Sequence, residues 1–501
     1  MNRTTAADPQ RPATLGELRA AGYRPRSVKE EMRSNLLLRL GEAEEIFPGI
    51  VGYEESVVPA VENAILAGQD IVFLGERGQG KSRMARLLVG LLDAEIPVVR
   101  GGELHDDPLA PVSPAARATV AEAGDATPID WLPRDRRYAE KLATPDITIA
   151  DLIGEVDPIK VAEGRYLSDE LTLHYGLIPR ANRGIFAINE LPDLAERIQV
   201  GLFNILEERD VQIRGYVIRL PLDLFVVASA NPEDYTSRGR IITPLKDRLG
   251  SQIRTHYPRS LEHEIAIMRQ EAHRFPAEEG VPPVLVPLFV EELLAELTHL
   301  ARRSPEISQR SGVSVRVSVA NLEVLRAAAL KRAVRLGEAS GAPRVSDLGA
   351  LVASTTGKIE LETVGDETPE ERVVERLLTK ALFSTFNRRV SLDDLDEVVA
   401  AFEAGLVVET GELVPSRDYV RWVHETPGLP AAVRGLLAAA GIAGGVNGEG
   451  KAAAAESGRR TAAAADDPAV VASAVEFLLE GLHLQRRINK DRRAGGTVYR
   501  R

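Results

Sequence analysis

An α/β core, a parallel sheet flanked by helices, followed by an all-helical domain is the fold class this sequence predicts. Three observations carry it. From Phe47 to about residue 258, short apolar runs bounded by Gly, Asn or Pro alternate with helical patterns. A glycine-rich segment, GERGQGKS, separates the first of these runs from a helix. Beyond residue 261 the apolar spacing turns helical, as in VPLFVEELLAELTHLARR and VANLEVLRAAALKRAVRL, and strand signals become sparse.

The strands expected in the core are Ile71–Leu74, Ile96–Val99, Ile185–Ile188 and Leu224–Ala228. Ahead of the core, residues 1–44 read as an N-terminal arm with one helix from Ser27 to Leu40, whose Leu36, Leu37, Leu38 and Leu40 need a docking surface. The core is expected over 45–260, a helical lid over 261–350 and a helical extension over 351–437. Residues 438–467 are rich in Ala and Gly, hold too few large apolar side chains for a core, and read as a flexible linker. A last helix from Val470 to about Lys490 precedes a basic tail and is expected to dock on the body or on a partner. No internal repeat is evident.

Composition narrows the function classes. At 501 residues, 44% hydrophobic and 27% charged, the chain suits two or three soluble domains. The absence of cysteine excludes disulfides, thiolate zinc sites and a cysteine nucleophile. A formal charge of −12 argues against a surface built to neutralise phosphates, so nucleic-acid binding is not expected. No apolar run approaches bilayer length and the start, MNRTTAADPQRP, lacks an apolar stretch, so a cytoplasmic protein without a membrane anchor is expected.

GERGQGKS, Gly75 to Ser82, fits the G-x-x-x-x-G-K-[ST] pattern, follows the strand DIVFL and opens the helix SRMARLLVGLL. Backbone N–H groups of Gly75, Glu76, Arg77, Gly78, Gln79 and Gly80 are expected to surround phosphate oxygens; Lys81 reaches the β- and γ-phosphates and Ser82 offers an oxygen to Mg²⁺. ATP and Mg²⁺ are therefore the expected ligands. Farther on, GIFAINE is an apolar strand ending in a carboxylate, Glu190, placed to orient an attacking water. The preceding metal-side position is Asn189, whose amide oxygen can accept from metal-bound water but brings no charge. The third strand, LFVVASANPED, ends in Asn231, where a polar side chain can position that water. His105, Asp106 and Asp107 are read as a solvated turn rather than a metal site.

Taken in order, FPGIVGYEESV, GERGQGKS, HYGLIPRANRGIFAINELPDL, SANPED and PLKDRLG resemble one AAA+ ATPase module of the helix-2-insert clade, that of magnesium chelatase I subunits and MoxR proteins. The likeness is good over about residues 45–260 and looser over the lid. It implies an adenine pocket at Ile50, Val51 and Gly52, sensor 1 at Asn231, an arginine finger at Arg248 and a lid sensor at Arg316, with Arg310 as its rival. It also implies that Asp151 to Leu177 forms the clade's insert and that VQIRGYVIRL forms its second hairpin. By the same resemblance a homo-oligomeric ring, a hexamer, would then act on a partner complex, often through a von Willebrand factor A-domain protein. Departures are Asn189 in place of Asp, the extra residues 350–501, and the lack of a D-x-S-x-S metal-site motif. Three outcomes follow for function: remodelling of a partner complex, metal insertion into a tetrapyrrole as a magnesium or cobalt chelatase component, or a catalytically weak ATP-binding switch. The G-A-F-T-G-A loop of enhancer-binding activators is absent, and VQIRGYVIR offers a helicase only two arginines.

Overall fold

The computed structural model describes residues 11–156, 173–207, 211–213, 216–218, 220–231, 241–273, 278–308, 311–362, 369–439, 442–443, 466–493 and 496–501. They divide into two compact units, up to residue 256 and from residue 257 onward. Most of the expected clade insert, most of the expected linker, and Arg310 lie outside the described residues.

Strands of the first unit are β1 (Ile71–Leu74), β2 (Glu95–Val99), β3 (Ile129–Pro133), β4 (Tyr138–Leu142), β5 (Gly154–Val156), β6 (Leu173–Tyr175), β7 (Gly184–Asn189), β8 (Val211–Ile213), β9 (Tyr216–Ile218), β10 (Leu224–Ala230) and β11 (Ser251–Arg254). Five of them form a parallel sheet of order β11-β1-β10-β7-β4. Both faces are covered, as a parallel sheet requires. Ile71, Phe73, Ile185, Ala187, Phe225 and Val227 point to one side, against the helices α1 (Leu15–Ala20) to α4 apart from α1 itself: α2 (Val28–Gly41), α3 (Val57–Leu66) and α4 (Lys81–Leu87). The alternate residues Val72, Phe186, Ile188, Val226 and Ala228 point to the other, against the helices Glu196–Glu207 and Thr243–Arg248.

The strands at β1, β7 and β10 stand where the apolar runs predict them. Ile96–Val99 does not join the sheet: β2 pairs antiparallel with β3 in a separate ribbon. Pro97 lacks the N–H that a strand bonded on both sides must donate, and a ribbon leaves one edge open. Its place is taken by β4. The two further short ribbons are β5 with β6 and β8 with β9.

Residues 27–41 pack on the sheet as part of the core. Ser27 and Glu30 form a reciprocal cap at the start of α2, and Val28, Met32 and Leu36 make an i, i+4 stripe buried on the sheet. Of the four leucines expected to dock, only Leu36 does; Leu37, Leu38 and Leu40 are exposed. Glu31 accepts two 2.7 Å bonds from the guanidinium of Arg137, and Arg137 Nε donates to the carbonyl of Arg183. This buried pair ties α2 to the strand end beside β4.

In the second unit the expected lid is helical, chiefly Leu261–Glu271, Leu288–Arg303 and Arg316–Leu336. Short strands appear among the helices: β12 (Val286–Pro287) pairs with β14 (Ile442–Ala443), and β13 (Val408–Thr410) joins β15 (Asn489–Arg493) and β16 (Gly496–Arg500) in the order β13-β16-β15. The last helix, Pro468–Leu484, docks on the body of its own unit, with Phe477 4.7 Å from Phe289 between ring centroids. It ends before Lys490, and the basic tail is a hairpin in which the consecutive Val498 and Tyr499 are buried on opposite faces of β16 and Lys490 is neutralised by Glu480 at 2.6 Å. Among the described residues no helix is long and apolar enough to cross a membrane.

Removing one partner of a buried ion pair leaves the other charge uncompensated, so Glu31→Ala should cost about 3–5 kcal/mol. Urea denaturation followed by circular dichroism checks this; a loss below 1 kcal/mol, on the order of a surface pair, would show that α2 is held by its apolar stripe alone.

Candidate functional site

The site lies where β1, β7 and β10 end at their carboxyl side. β1 runs straight into the loop at Gly75, whose N–H donates to the carbonyl of Ala230 at the end of β10 (3.1 Å). The loop turns twice through left-handed glycines, Gly78 (φ 76°) and Gly80 (φ 73°), and α4 begins at Lys81.

Several groups outside the motif hold this loop. The buried Gln79 side chain accepts from Thr255 Oγ1 at 2.6 Å, and Thr255 N–H bonds the carbonyl of Leu74 at 2.8 Å. The Tyr53 hydroxyl lies 2.7 Å from the carbonyl of Gln79 and 2.8 Å from that of His256. Burial pushes the Tyr53 phenol up to about 12, so it remains a donor. Tyr53 directly follows Ile50, Val51 and Gly52, so the segment that carries these three also braces the loop. A Cβ on Gly75 would collide with Thr255 Oγ1 and Gln79 Oε1, which explains why the first motif position is glycine.

Lys81 is buried and its ammonium group donates to the carbonyls of Gly75 and Glu76 (3.0 Å for the latter) and to Asn231 Oδ1 (2.7 Å). Asn231 Nδ2 in turn donates to Glu190 Oε2 at 3.0 Å. Ser82 Oγ donates to Asn189 Oδ1 at 3.1 Å, and Ser229 Oγ donates to the same oxygen at 3.2 Å. Asn189 Nδ2 donates to Glu140 Oε1 on β4 at 2.5 Å. Glu190 has left-handed backbone angles, φ 56° and ψ 46°, a conformation that strains a non-glycine residue by roughly 1–3 kcal/mol. The structure thus gathers Lys81, Asn231 and Glu190 in one hydrogen-bonded set and Ser82 and Asn189 in another, joined through Ser229, whose Oγ accepts from the Glu190 N–H at 3.3 Å.

The oxygens of Ser82, Asn189 and Ser229 are hard donors, and one hydroxyl plus waters and phosphate oxygens is a set that suits Mg²⁺. No group of three or more His, Asp or Glu poised for a metal exists among the described residues, so the nucleotide would have to supply most of the ligands. Arg248 closes the helix Thr243–Arg248 with its guanidinium 5.6 Å from the centroid of Phe203. Arg316 belongs to the second unit, where it starts the helix Arg316–Leu336.

His105, Asp106 and Asp107 do not form a solvated turn. Asp106 is fully buried and accepts from the N–H groups of Val112 and Ser113 and from Ser113 Oγ, while Asp107 pairs with Arg183 at 2.9 Å. The reading failed because the partners that bury these carboxylates, notably Arg183 and Tyr23, come from distant segments. Sequence reasoning also missed Tyr53, Glu140, Ser229 and Thr255. Only Tyr53 had a signal, its position directly after the expected adenine segment.

A parallel sheet with a phosphate-binding loop, an acid-tipped neighbouring strand and a polar third strand defines a P-loop nucleotide site on an AAA+ type core with a helical second unit. Within that class the chain is similar to magnesium chelatase I subunits. No protein-family model matches it. It is 28% identical over 243 residues to the chloroplastic magnesium-chelatase subunit ChlI of Oryza sativa, covering 45% of this chain and 52% of that one. It is also 28% identical over 253 residues to the ChlI subunit of Chlorella vulgaris, covering 47% and 64%. The similarity therefore spans about half to two thirds of the length of these relatives. Among solved structures, ADP-bound NtrX of Brucella abortus aligns at 15% identity and a TM-score of 0.37 over 71% of this chain and 66% of that one. A cryo-EM-based complex of the BchI and BchD subunits of magnesium chelatase aligns at 22% and 0.34 over 66% and 98%.

The two kinds of glycine in the loop should respond differently to alanine. Gly75→Ala, which forces buried side chains apart, should cost about 1–3 kcal/mol, whereas Gly80→Ala, with open space but a left-handed φ, should cost about 1 kcal/mol. Thermal melts of the two variants check the order; equal losses would mean that Thr255 and Gln79 move aside freely.

Proposed function

We propose that this chain is an Mg²⁺-dependent ATP hydrolase that works as a homo-oligomeric ring, a hexamer, to remodel a partner protein complex. The observation that carries the reading is the convergence of Lys81, Ser82, Asn189, Glu190 and Asn231 at the end of three adjacent strands, in two hydrogen-bonded sets joined through Ser229. In this reading Ile50, Val51 and Gly52 line the adenine. The N–H groups from Gly75 to Gly80 hold the phosphates, and Lys81 leaves the carbonyls of Gly75 and Glu76 to meet the β- and γ-phosphates. Mg²⁺, when bound, would neutralise charge on the β- and γ-oxygens. Ser82 would ligate it and Asn189 would hold one of its waters.

Glu190 orients the attacking water with help from Asn231, and attack on the γ-phosphorus breaks its bond to the bridging oxygen to give ADP and phosphate. Arg248 is offered to the γ-phosphate of a neighbouring subunit, and Arg316 serves as the lid sensor. The ring would act with a von Willebrand factor A-domain protein in the cytoplasm. The names of the relatives support a second reading, the ATPase component of a chelatase that inserts metal into a tetrapyrrole. Remodelling is preferred because the described residues beyond 350 contribute to the core of the second unit.

The test is Mg²⁺-dependent ATP turnover measured against protein concentration. Wild type should turn over with a steep concentration dependence; Glu190→Gln should lose on the order of 10²-fold or more and Arg248→Ala on the order of 10³-fold. Tight ATP binding without turnover by the wild type would replace the motor with a nucleotide switch.

A further inference from the structure

At the metal-side position this chain carries an amide where a carboxylate is usual for a P-loop ATPase, yet a carboxylate stands one strand away. In the β4–β7 register Leu142 faces Asn189 and Glu140 faces Ala187, so Glu140, two residues before Leu142, projects on the same sheet face as Asn189 and diagonal to it. That face is the one covered by α4, where Ser82 and Arg86 stand four residues apart on one side of the helix. The four side chains close a circuit. Ser82 Oγ donates to Asn189 Oδ1, Asn189 Nδ2 donates to Glu140 Oε1, and Arg86 grips Glu140 through two bonds of 2.8 and 3.0 Å. The Tyr138 hydroxyl adds a bond to Glu140 Oε2 at 3.2 Å.

We infer that Glu140 is a positioning residue for the Mg²⁺-nucleotide site: it fixes the amide of Asn189 with its oxygen toward Ser82 and supplies from the neighbouring strand the negative charge that Asn189 lacks. The hydrogen-bonding rules for an amide give the first half directly. A carboxylate accepts only, so it holds the NH₂ group of Asn189 toward itself and leaves the carbonyl oxygen for Ser82 and for a metal-bound water. Burial acts to raise the Glu140 carboxyl, but the bonds from Arg86, Asn189 and Tyr138 outweigh it and keep the group ionised. Arg86 offsets part of this charge, but its side chain is 64% exposed and solvent screens the pair on that side, while that of Glu140 is 19% exposed. The inference rests on the nucleotide-site reading given above.

The experiment follows Mn²⁺ binding by electron paramagnetic resonance, with Mn²⁺ in place of Mg²⁺, in the full-length chain with ADP. Affinity for fluorescent ADP in EDTA is measured alongside as the control for an intact loop. Glu140→Ala should weaken Mn²⁺ about tenfold or more, within the range for a lost outer-shell partner, with metal-free ADP affinity unchanged. Glu140→Gln, which keeps the shape, should weaken it in the same direction. Asn189→Asp alone removes the donor and sets two carboxylates against each other, so it should lower the melting temperature of the metal-free protein. The exchange E140Q/N189D moves the charge across the hydrogen bond and should recover wild-type Mn²⁺ affinity. Unchanged Mn²⁺ affinity in Glu140→Ala, or no loss of melting temperature in Asn189→Asp alone, overturns the inference while leaving the nucleotide site standing. Failure of the wild type to bind ADP at all overturns both.

Discussion

The amide of Asn189 is the point on which the site turns. Its oxygen takes hydrogen bonds from Ser82 on the helix behind the loop and from Ser229 on β10, and its nitrogen gives one to Glu140 on β4. One uncharged side chain therefore connects α4 with three adjacent strands. A charged residue there would gain direct attraction for a divalent cation but would face Glu140 across a bond that only a donor can make. The Asn–Glu pairing and the departure from the usual carboxylate belong together, and neither is intelligible alone.

Around that point the loop is braced from both sides. Tyr53 holds the carbonyl of Gln79, Thr255 holds its side chain, and Ala230 holds the N–H of Gly75, so the backbone is shaped before any phosphate arrives. Preorganisation of this kind lets N–H dipoles meet a ligand without paying for loop closure on binding. Lys81 occupies itself with loop carbonyls and Asn231, which keeps a buried cation satisfied.

What the sequence revealed follows physical lines. β7 and β10 were legible because strands buried on both faces read as unbroken apolar runs, and the loop was legible because its chemistry is local. β4 was not, since Tyr-Ala-Glu-Lys-Leu is an edge strand whose polar residues serve the site and the rim. Glu140 went unseen for the same reason. The hairpin of the basic tail was hidden because, among its described residues, Val498 and Tyr499 alone are buried, and the partner of Lys490 is Glu480, on the preceding helix. Long-range partners such as Tyr53 with His256 and Asp107 with Arg183 cannot be read from spacing at all.

The central claim is that this cluster binds nucleotide through its phosphates, and calorimetric titration of Mg²⁺-ATP into wild type and Lys81→Ala tests it most directly. Binding by the wild type should be saturable and weakened about a hundredfold in the variant, the scale of a lost charge-assisted bond. Equal binding by both proteins, or none by either, would contradict it.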